Sequence, residues 1–175
     1  MPGATPSQTV GPFFSIGFAW MDSGNIASAA FPGERISIQG RILDGDGKPV
    51  SDGLLEIWQA DPGGRFDNPA FRGFGRIPTQ ADGRFTFTTV RPGRIAAPGG
   101  RMQAAHLLVT VFARGMLKHA VTRLYFPGDP AHAEDPVLAL VDPARRATLI
   151  ARPSGGALEW DVVLQGRDET VFFDL

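Results

Sequence analysis

The sequence contains no cysteine at all, and this absence removes two classes of site. Without thiols the chain forms no disulfide, and it offers no thiolate to zinc or to an iron–sulfur cluster. Long apolar segments are missing as well, because no uninterrupted hydrophobic run approaches the roughly 18 residues that cross a bilayer. The first ten residues, MPGATPSQTV, lack the basic and apolar regions of a secretory signal, so the sequence predicts a cytoplasmic protein.

An excess of one charge sign is also missing. The 17 basic and 18 acidic residues leave a formal net charge of −1. No block of about five or more like charges occurs, as a basic arm or an acidic tail would require. The charge pattern therefore gives no indication of binding to nucleic acid or to an acidic membrane surface.

Glycine and proline, in contrast, are abundant, with 22 and 15 residues in a chain of 175. Because the hydrophobic share is 43% and the charges are mixed, this excess is typical of short strands joined by tight turns rather than of disorder. The length suits one domain with a real core. We therefore predict a single domain over residues 1–175, an antiparallel β-sandwich with one or two short helices in its long connections.

Alternation with a period of two marks the strands. In Glu34–Leu43 the isoleucines 36, 38 and 42 share one face and polar residues share the other. Six further strands are expected at Leu54–Gln59, Arg84–Val90, His106–Ala113, Ala120–Phe126, Leu158–Gln165 and Thr170–Asp174. One helix is expected at Asp142–Ile150, with Asp142 as its cap and Pro143 in its first turn.

The run Asp44-Gly45-Asp46-Gly47 could be taken for the start of a calcium loop. The later ligand positions of such a loop fall on Lys48 and Val50, which cannot bind calcium. A hairpin turn that uses glycine for positive φ angles is therefore the better interpretation.

Histidine and tyrosine, two kinds of side chain that bind metals, are few. The chain has three histidines and a single tyrosine, Tyr125. His106 opens an apolar strand, where a hydrogen-bonded core histidine is more common than a metal ligand. Two other kinds of function stay open on the residues alone. One is an enzyme with its own metal, held by His106, His132 and carboxylates such as Glu134 and Asp135. The other is a non-enzymatic β-sandwich that acts as a binding or adhesion module.

Five blocks of sequence stand at Thr5–Phe14, Leu54–Phe66, Ala81–Gly93, Ala105–Arg114 and Arg123–Pro130. In this order they resemble the intradiol ring-cleaving dioxygenases. The run Leu-Glu-Ile-Trp-Gln-Ala-Asp at 55–61 is similar to the family as a whole. The resemblance covers about residues 5 to 175.

The resemblance implies a non-haem ferric ion, which the family holds with two tyrosinates and two histidines. The resemblance places the two tyrosinate positions on Phe66 and Ile95, and it places the histidine pair on His106 and Leu108. Three of the four ligands are therefore absent from this chain. The resemblance is to members built from two homologous chains, α and β, of which only β keeps the iron. This chain is expected to be the α partner in such a hetero-oligomer, with no metal ligand and no catalytic residue of its own.

The resemblance also implies a reaction in aromatic catabolism. The family opens a catechol ring between its two hydroxyl-bearing carbons with O2, and a carboxylated catechol then gives a carboxy-cis,cis-muconate. Residues 1–15 are expected to reach toward the β subunit. Thr9, Gly11 and Pro12 of that segment, together with Arg114, are expected to line the substrate pocket, where a guanidinium suits an aromatic carboxylate.

Overall fold

The computed structural model describes residues 3–18 and 24–174, and the other residues of the expected 1–175 domain lie outside this description. A short helix, α1, spans Pro12–Phe18. The strands are β1 Arg35–Leu43, β2 Leu54–Trp58, β3 Phe74–Pro78, β4 Arg84–Val90, β5 Ile95–Ala96, β6 Met102–Gln103, β7 His106–Phe112, β8 Ala120–Tyr125, β9 Arg152–Ser154, β10 Ala157–Glu159 and β11 Val162–Val163.

The strands form two main sheets. In one, β1 pairs with β4 in antiparallel fashion on one side and with β10 and β11 in parallel on the other, while β9 adds to β10. The other sheet is antiparallel throughout, in the order β3-β2-β7-β8. Strands β5 and β6 form a small ribbon of their own. The predicted all-β architecture is confirmed, with two parallel pairings that the alternation of side chains could not reveal.

Alternating side chains of both sheets build the core between them. In β7, Leu107, Val109 and Val111 are fully buried, whereas the residues between them are partly exposed. They pack in one cluster with Phe85 and Phe87 of β4. The even-numbered residues of β7 therefore point to the outer face of the four-stranded sheet, and this face carries the site described below.

The predicted strand Leu158–Gln165 is interrupted at Trp160, which separates β10 from β11. The carbonyl oxygen of Trp160 lies so close to Gly40 of β1 that any side chain at position 40 would collide with it. The indole nitrogen of Trp160 donates to the carbonyl oxygen of Thr148 at 2.9 Å. Glycine in β1 thus permits a close approach of backbone that breaks the neighbouring strand.

Two predicted elements are wrong in kind. The segment Asp142–Ile150 is not an α-helix, because Asp142 accepts a hydrogen bond from the Ala144 amide in a local turn and only Arg146–Leu149 forms a 3-10 helix. The segment Thr170–Asp174 is not a strand, since it makes one isolated bridge between Phe173 and Val121. The turn at Asp44 is confirmed, with its carboxylate accepting the amides of Asp46 and Lys48.

A second, smaller cluster holds the long connection after β8 against the sheet. Tyr125 is fully buried there with Leu138 and Leu149, which belong to 3-10 helices in that connection. No helix within residues 3–18 and 24–174 is long and apolar enough to cross a membrane.

Candidate functional site

The outer face of the four-stranded sheet brings the predicted ligand positions of β7 next to polar residues of β8. The register pairs His106 with Tyr125 and Leu108 with Arg123. On its other side, Leu108 is paired with Trp58 of β2. Because side chains two residues apart share a face, His106 and Leu108 both point to this side of the sheet.

The remaining two positions lie beside the same face. Phe66 stacks on Trp58, with ring centroids 6.3 Å apart and planes inclined by 9°. Its side chain is 51% exposed. Ile95 in β5 is paired with Gln103 of β6, and Gln103 contacts Arg123. Phe66 thus contacts Trp58 of β2, and Ile95 is linked to Arg123 of β8 through Gln103.

His106 is the only one of these four positions with a metal-binding side chain. Its Nδ1 lies 2.8 Å from the carbonyl oxygen of Ala104. Since a carbonyl oxygen only accepts, Nδ1 carries the proton and Nε2 is left unprotonated. Burial and, to a smaller extent, the charge of Arg123 lower the pKa of His106 to about 4. His106 is thus a neutral, hydrogen-bonded histidine at the edge of the core.

Arg123 is the centre of a polar network beneath these positions. Its Nη1 donates to Gln103 Oε1 at 2.7 Å and lies 3.2 Å from the hydroxyl oxygen of Tyr125. Its guanidinium also lies over the ring of Phe173, 6.0 Å from the centroid. Burial raises the pKa of Tyr125 to about 12, so that the phenol keeps its proton.

Asp135 closes the network from the connection after β8. It is fully buried, and its Oδ1 accepts the amides of Val137 and Leu138 at 2.8 and 2.9 Å. Its Oδ2 accepts the amide of Ala104 at 2.7 Å. The carboxylate therefore binds the backbone next to His106.

These residues do not fit the ferric ion that the family resemblance implies. Phe66 has a ring without oxygen, and Ile95 and Leu108 are aliphatic, so His106 is left as a single neutral donor. Iron sites of this kind need several nitrogen and oxygen ligands. Within residues 3–18 and 24–174, no three side chains of the kind that bind metals lie close enough to hold an ion.

The alternative metal site is not assembled either. Both oxygens of Asp135 are engaged by backbone amides. Glu134 points outward to Arg94 at 3.4 Å. The His132 ring meets Tyr125 edge-on at 5.6 Å, and its buried Nε2 has no hydrogen-bond partner within residues 3–18 and 24–174. The expected donors are thus spread over separate contacts.

The second predicted site, on the N-terminal segment, is brought together in one place. The hydroxyl oxygen of Thr9 accepts a hydrogen bond from the amide of Gly115 at 2.8 Å, which fixes Thr9 beside Arg114. Gly11 accepts the amide of Phe14 at 3.0 Å where α1 begins at Pro12. The ring of Phe14 packs on Phe112 at 5.3 Å. The N-terminal segment that contains Thr9, Gly11 and Pro12 therefore lies against the end of β7, where Arg114 follows.

Arg114 itself is open to solvent. Its side chain is 78% exposed, and its Nε pairs with Asp52 at 3.2 Å. Beside it, an open cleft of about 400 Å³ lies between the N-terminal segment, the β7–β8 hairpin and the C-terminal segment. The lining residues include Ser7, Val10, Met116, His119 and Phe173.

Reasoning from sequence missed Arg123 and Gln103. The signal was present in part, because alternation in β8 places Arg123 on the same face as Tyr125 and opposite Leu108. The contact between Arg123 and Gln103 depends on where β6 lies in the fold, which the sequence alone does not indicate.

A family model described as dioxygenase matches residues 10–166. In structure, the chain is similar to the dioxygenase domain of a dioxygenase and carbohydrate-binding protein fusion from Streptomyces sp. SirexAA-E. The TM-score is 0.65 at 30% identity, and the match covers 95% of this chain and 98% of that one. The chain therefore belongs to the dioxygenase family, which confirms the resemblance found in the sequence.

Particular relatives are more informative still. The chain is 45% identical over 195 aligned residues to the protocatechuate 3,4-dioxygenase alpha chain of Burkholderia cepacia, covering 98% of this chain and 97% of the relative. It is 41% identical to the alpha chain of Pseudomonas putida, covering 97% and 96%. It is also 41% identical to the Burkholderia cepacia beta chain, but this match covers 79% of this chain and 67% of the relative.

Proposed function

We propose that this chain is the alpha subunit of a protocatechuate 3,4-dioxygenase and that a beta subunit carries the Fe(III). The assembled enzyme cleaves protocatechuate between its hydroxyls with O2 and gives 3-carboxy-cis,cis-muconate. Support comes from similarity to alpha chains over nearly the whole length, while a beta chain matches over a smaller part. That similarity to subunits of an enzyme argues against a non-enzymatic binding module.

The observation that carries this proposal is that three of the four expected metal-ligand positions hold side chains without a donor atom. Phe66, Ile95 and Leu108 offer no donor atom, and His106 directs its Nδ1 proton to the backbone. Ring opening must then belong to the iron of the partner, and this chain contributes pocket wall and fold.

Arg114 is the residue of this chain that we assign to the substrate. A carboxylate on the ring is an anion that a guanidinium binds with charge-assisted hydrogen bonds. The side chain is largely exposed, so it is available to a neighbouring subunit. The hydrogen bond from Gly115 to Thr9 places the N-terminal loop next to it, so Thr9, Gly11 and Pro12 would form the adjoining wall.

Exposed apolar side chains on the surface of the chain support the binding of a partner subunit. Phe13 and Ile16 of α1 are 82% and 63% exposed, and Trp58 and Phe66 on the outer sheet face are 45% and 51% exposed. Apolar side chains grouped in this way mark protein interfaces. We expect the alpha–beta interface to bury roughly 2,000 Å² or more, as obligate interfaces do.

Replacing Arg114 tests the assignment to the substrate. In the enzyme assembled with its beta chain, Arg114→Ala should lower kcat/KM for protocatechuate by roughly 10- to 150-fold, since a charge-assisted hydrogen bond contributes about 1.5–3 kcal/mol. The loss should shrink for a catechol without the carboxylate. Arg41→Ala, an exposed arginine on the other sheet, is the matched control and should leave the kinetics unchanged. Equal losses for both substrates would show that Arg114 acts only on structure.

Iron content tests the division of labour. Purified without a beta chain, this chain should be colourless, carry no stoichiometric iron and open no catechol ring, because a ferric tyrosinate absorbs visible light and no tyrosine lies at a ligand position. About one iron per chain, retained until unfolding, would contradict the proposed subunit role.

A further inference from the structure

The side chain of Arg114 contacts a residue that strand register places opposite it. Leu54 is paired with Phe112 in the ladder between β2 and β7. The same antiparallel register, continued by two residues beyond this pair, sets Asp52 against Arg114. The side chains meet accordingly, with Oδ2 of Asp52 3.2 Å from Nε of Arg114. Opposite charges in such facing positions stabilise each other.

The backbone next to each member of this ion pair is fixed. Gly53, which follows Asp52, donates its amide to Thr79 Oγ1 at 2.9 Å, and its carbonyl oxygen accepts the Thr79 amide at 2.9 Å. Gly115, which follows the arginine, donates its amide to Thr9 Oγ1 at 2.8 Å. The aspartate side chain is 38% exposed, against 78% for that of the arginine. Asp52 therefore supplies a defined anchor for a long side chain that is otherwise open to solvent.

The ion pair uses one end of the guanidinium and leaves the other end for a second carboxylate. Nε is the donor nearest the main chain, whereas Nη1 and Nη2 form the tip of the planar group. The tip matches a carboxylate in a bidentate arrangement. Because the guanidinium is planar and rigid, a contact that fixes Nε also restricts the direction in which the tip points.

We propose that Asp52 is a positioning residue for substrate binding, which holds Arg114 at Nε and directs the tip of its guanidinium to the carboxylate of protocatechuate. An exposed arginine has many rotamers, and a ligand that must immobilise such a side chain binds less tightly. Asp52 restricts those rotamers before the substrate arrives. Its negative charge also repels the substrate carboxylate, but the guanidinium lies between the two anions and the repulsion weakens with distance, so the gain from positioning is the larger effect.

The inference rests on the proposed function, because it extends the assignment of Arg114 to the substrate carboxylate. It adds a residue from the connection between β1 and β2, which the predicted pocket of Thr9, Gly11, Pro12 and Arg114 does not include.

Asp52→Asn tests the inference in the enzyme assembled with its beta chain. Asparagine has a similar size and suits the same turn, but it lacks the charge that holds Nε. KM for protocatechuate should rise roughly two- to fivefold with kcat unchanged, which is the range expected for an ion pair near the surface. KM for catechol itself, which has no carboxylate, should stay the same.

Asp82→Asn is the matched control, because Oδ2 of Asp82 lies 3.5 Å from Nε of Arg84 in another exposed ion pair of the same kind. This control should leave both KM values unchanged. In the background of Arg114→Ala, Asp52→Asn should have no further effect, since the group that it positions is gone.

An unchanged or lower KM for protocatechuate in Asp52→Asn would overturn the inference. An equal rise of KM for both substrates, or a further loss in the Arg114→Ala background, would also overturn it. The proposed function stands through any of these results if Arg114→Ala alone shows the loss that depends on the carboxylate. If Arg114→Ala does not distinguish the two substrates, the assignment of Arg114 fails and the inference fails with it.

NMR relaxation of the full-length chain tests the ion pair without the beta subunit. The Nε–H signal of Arg114, identified by its loss in Arg114→Ala, should have a higher order parameter in the natural chain than in Asp52→Asn. Asp82→Asn should leave this order parameter unchanged. Equal order parameters with and without the carboxylate of Asp52 would overturn the inference as well.

Discussion

Protonation of His106 should make the stability of this chain depend on pH. The folded pKa is lowered from 6.5 to about 4 by burial and by the charge of Arg123. Between these two values the unfolded chain binds a proton that the folded chain rejects, so the free energy of unfolding rises with pH. The stabilising contribution is complete above the unfolded pKa and is lost as the pH falls toward about 4. The whole gap corresponds to about 3 kcal/mol, of which about 2 kcal/mol falls between pH 7 and pH 5.

The assay is urea unfolding of the purified chain at about pH 7 and pH 5, a window in which most carboxylates stay ionised. The comparison is with His106→Asn, whose amide can still donate to the Ala104 carbonyl but does not titrate. The natural chain should lose about 2 kcal/mol more than the variant between the two conditions.

If His106→Asn and the natural chain lose the same free energy, then His106 titrates near its ordinary value and the buried neutral state assigned to it is wrong.

Two further predictions concern the framework. Gly40→Ala should lower the free energy of unfolding by about 2 kcal/mol or more, because the new methyl group would collide with the Trp160 carbonyl and the Phe85 ring. Gly24→Ala is the control and should lower it far less, since the space around Gly24 is open. Chemical denaturation of both variants measures the two values. Asp135→Asn should lower the free energy of unfolding by roughly 1–3 kcal/mol, because the side chain of asparagine cannot accept all three backbone hydrogen bonds. Thermal unfolding of this variant that matches the natural chain would contradict the role given to the carboxylate.

Alternation of side chains was enough to predict most of the strands. Five of the seven predicted segments coincide with strands β1, β2, β4, β7 and β8 to within one residue at each end. These strands are long and lie between core and outer surface, so the period of two is clear in them. Strand β3 escaped because Phe74, Gly75 and Pro78 give no such pattern, and β9 because it contains Pro153.

The errors have a common physical cause, which is that tertiary contacts override local preference. Residues 142–150 contain good helix formers, yet the carboxylate of Asp142 closes a turn and Thr148 supplies its carbonyl to Trp160. Residues 170–174 alternate as a strand does, but Thr170 and Phe173 bond to two different strands, β11 and β8. Neither partner can be read from the segment alone.

The candidate site divides in the same way. Residue type and spacing in the sequence were sufficient to find the ligand positions that lack donor atoms. The absence of a phenol oxygen at Phe66, for example, is evident from the sequence alone. The polar network beside those positions depends on cross-strand register, which pairs Arg123 with Leu108.

The network around Arg123 gives a physical reason why the face can keep its shape without a metal. A metal ion ties together side chains from several loops, and its loss alone would leave those loops free and their polar groups unpaired. Here one guanidinium joins β6 to β8, while Asp135 joins the connection after β8 to the backbone beside His106. The links are hydrogen bonds, so they stabilise the loops without offering a ligand for O2 or a catechol. A subunit whose proposed contribution is a wall of another subunit's pocket needs this rigidity, and it has no use for the chemistry that an ion would add.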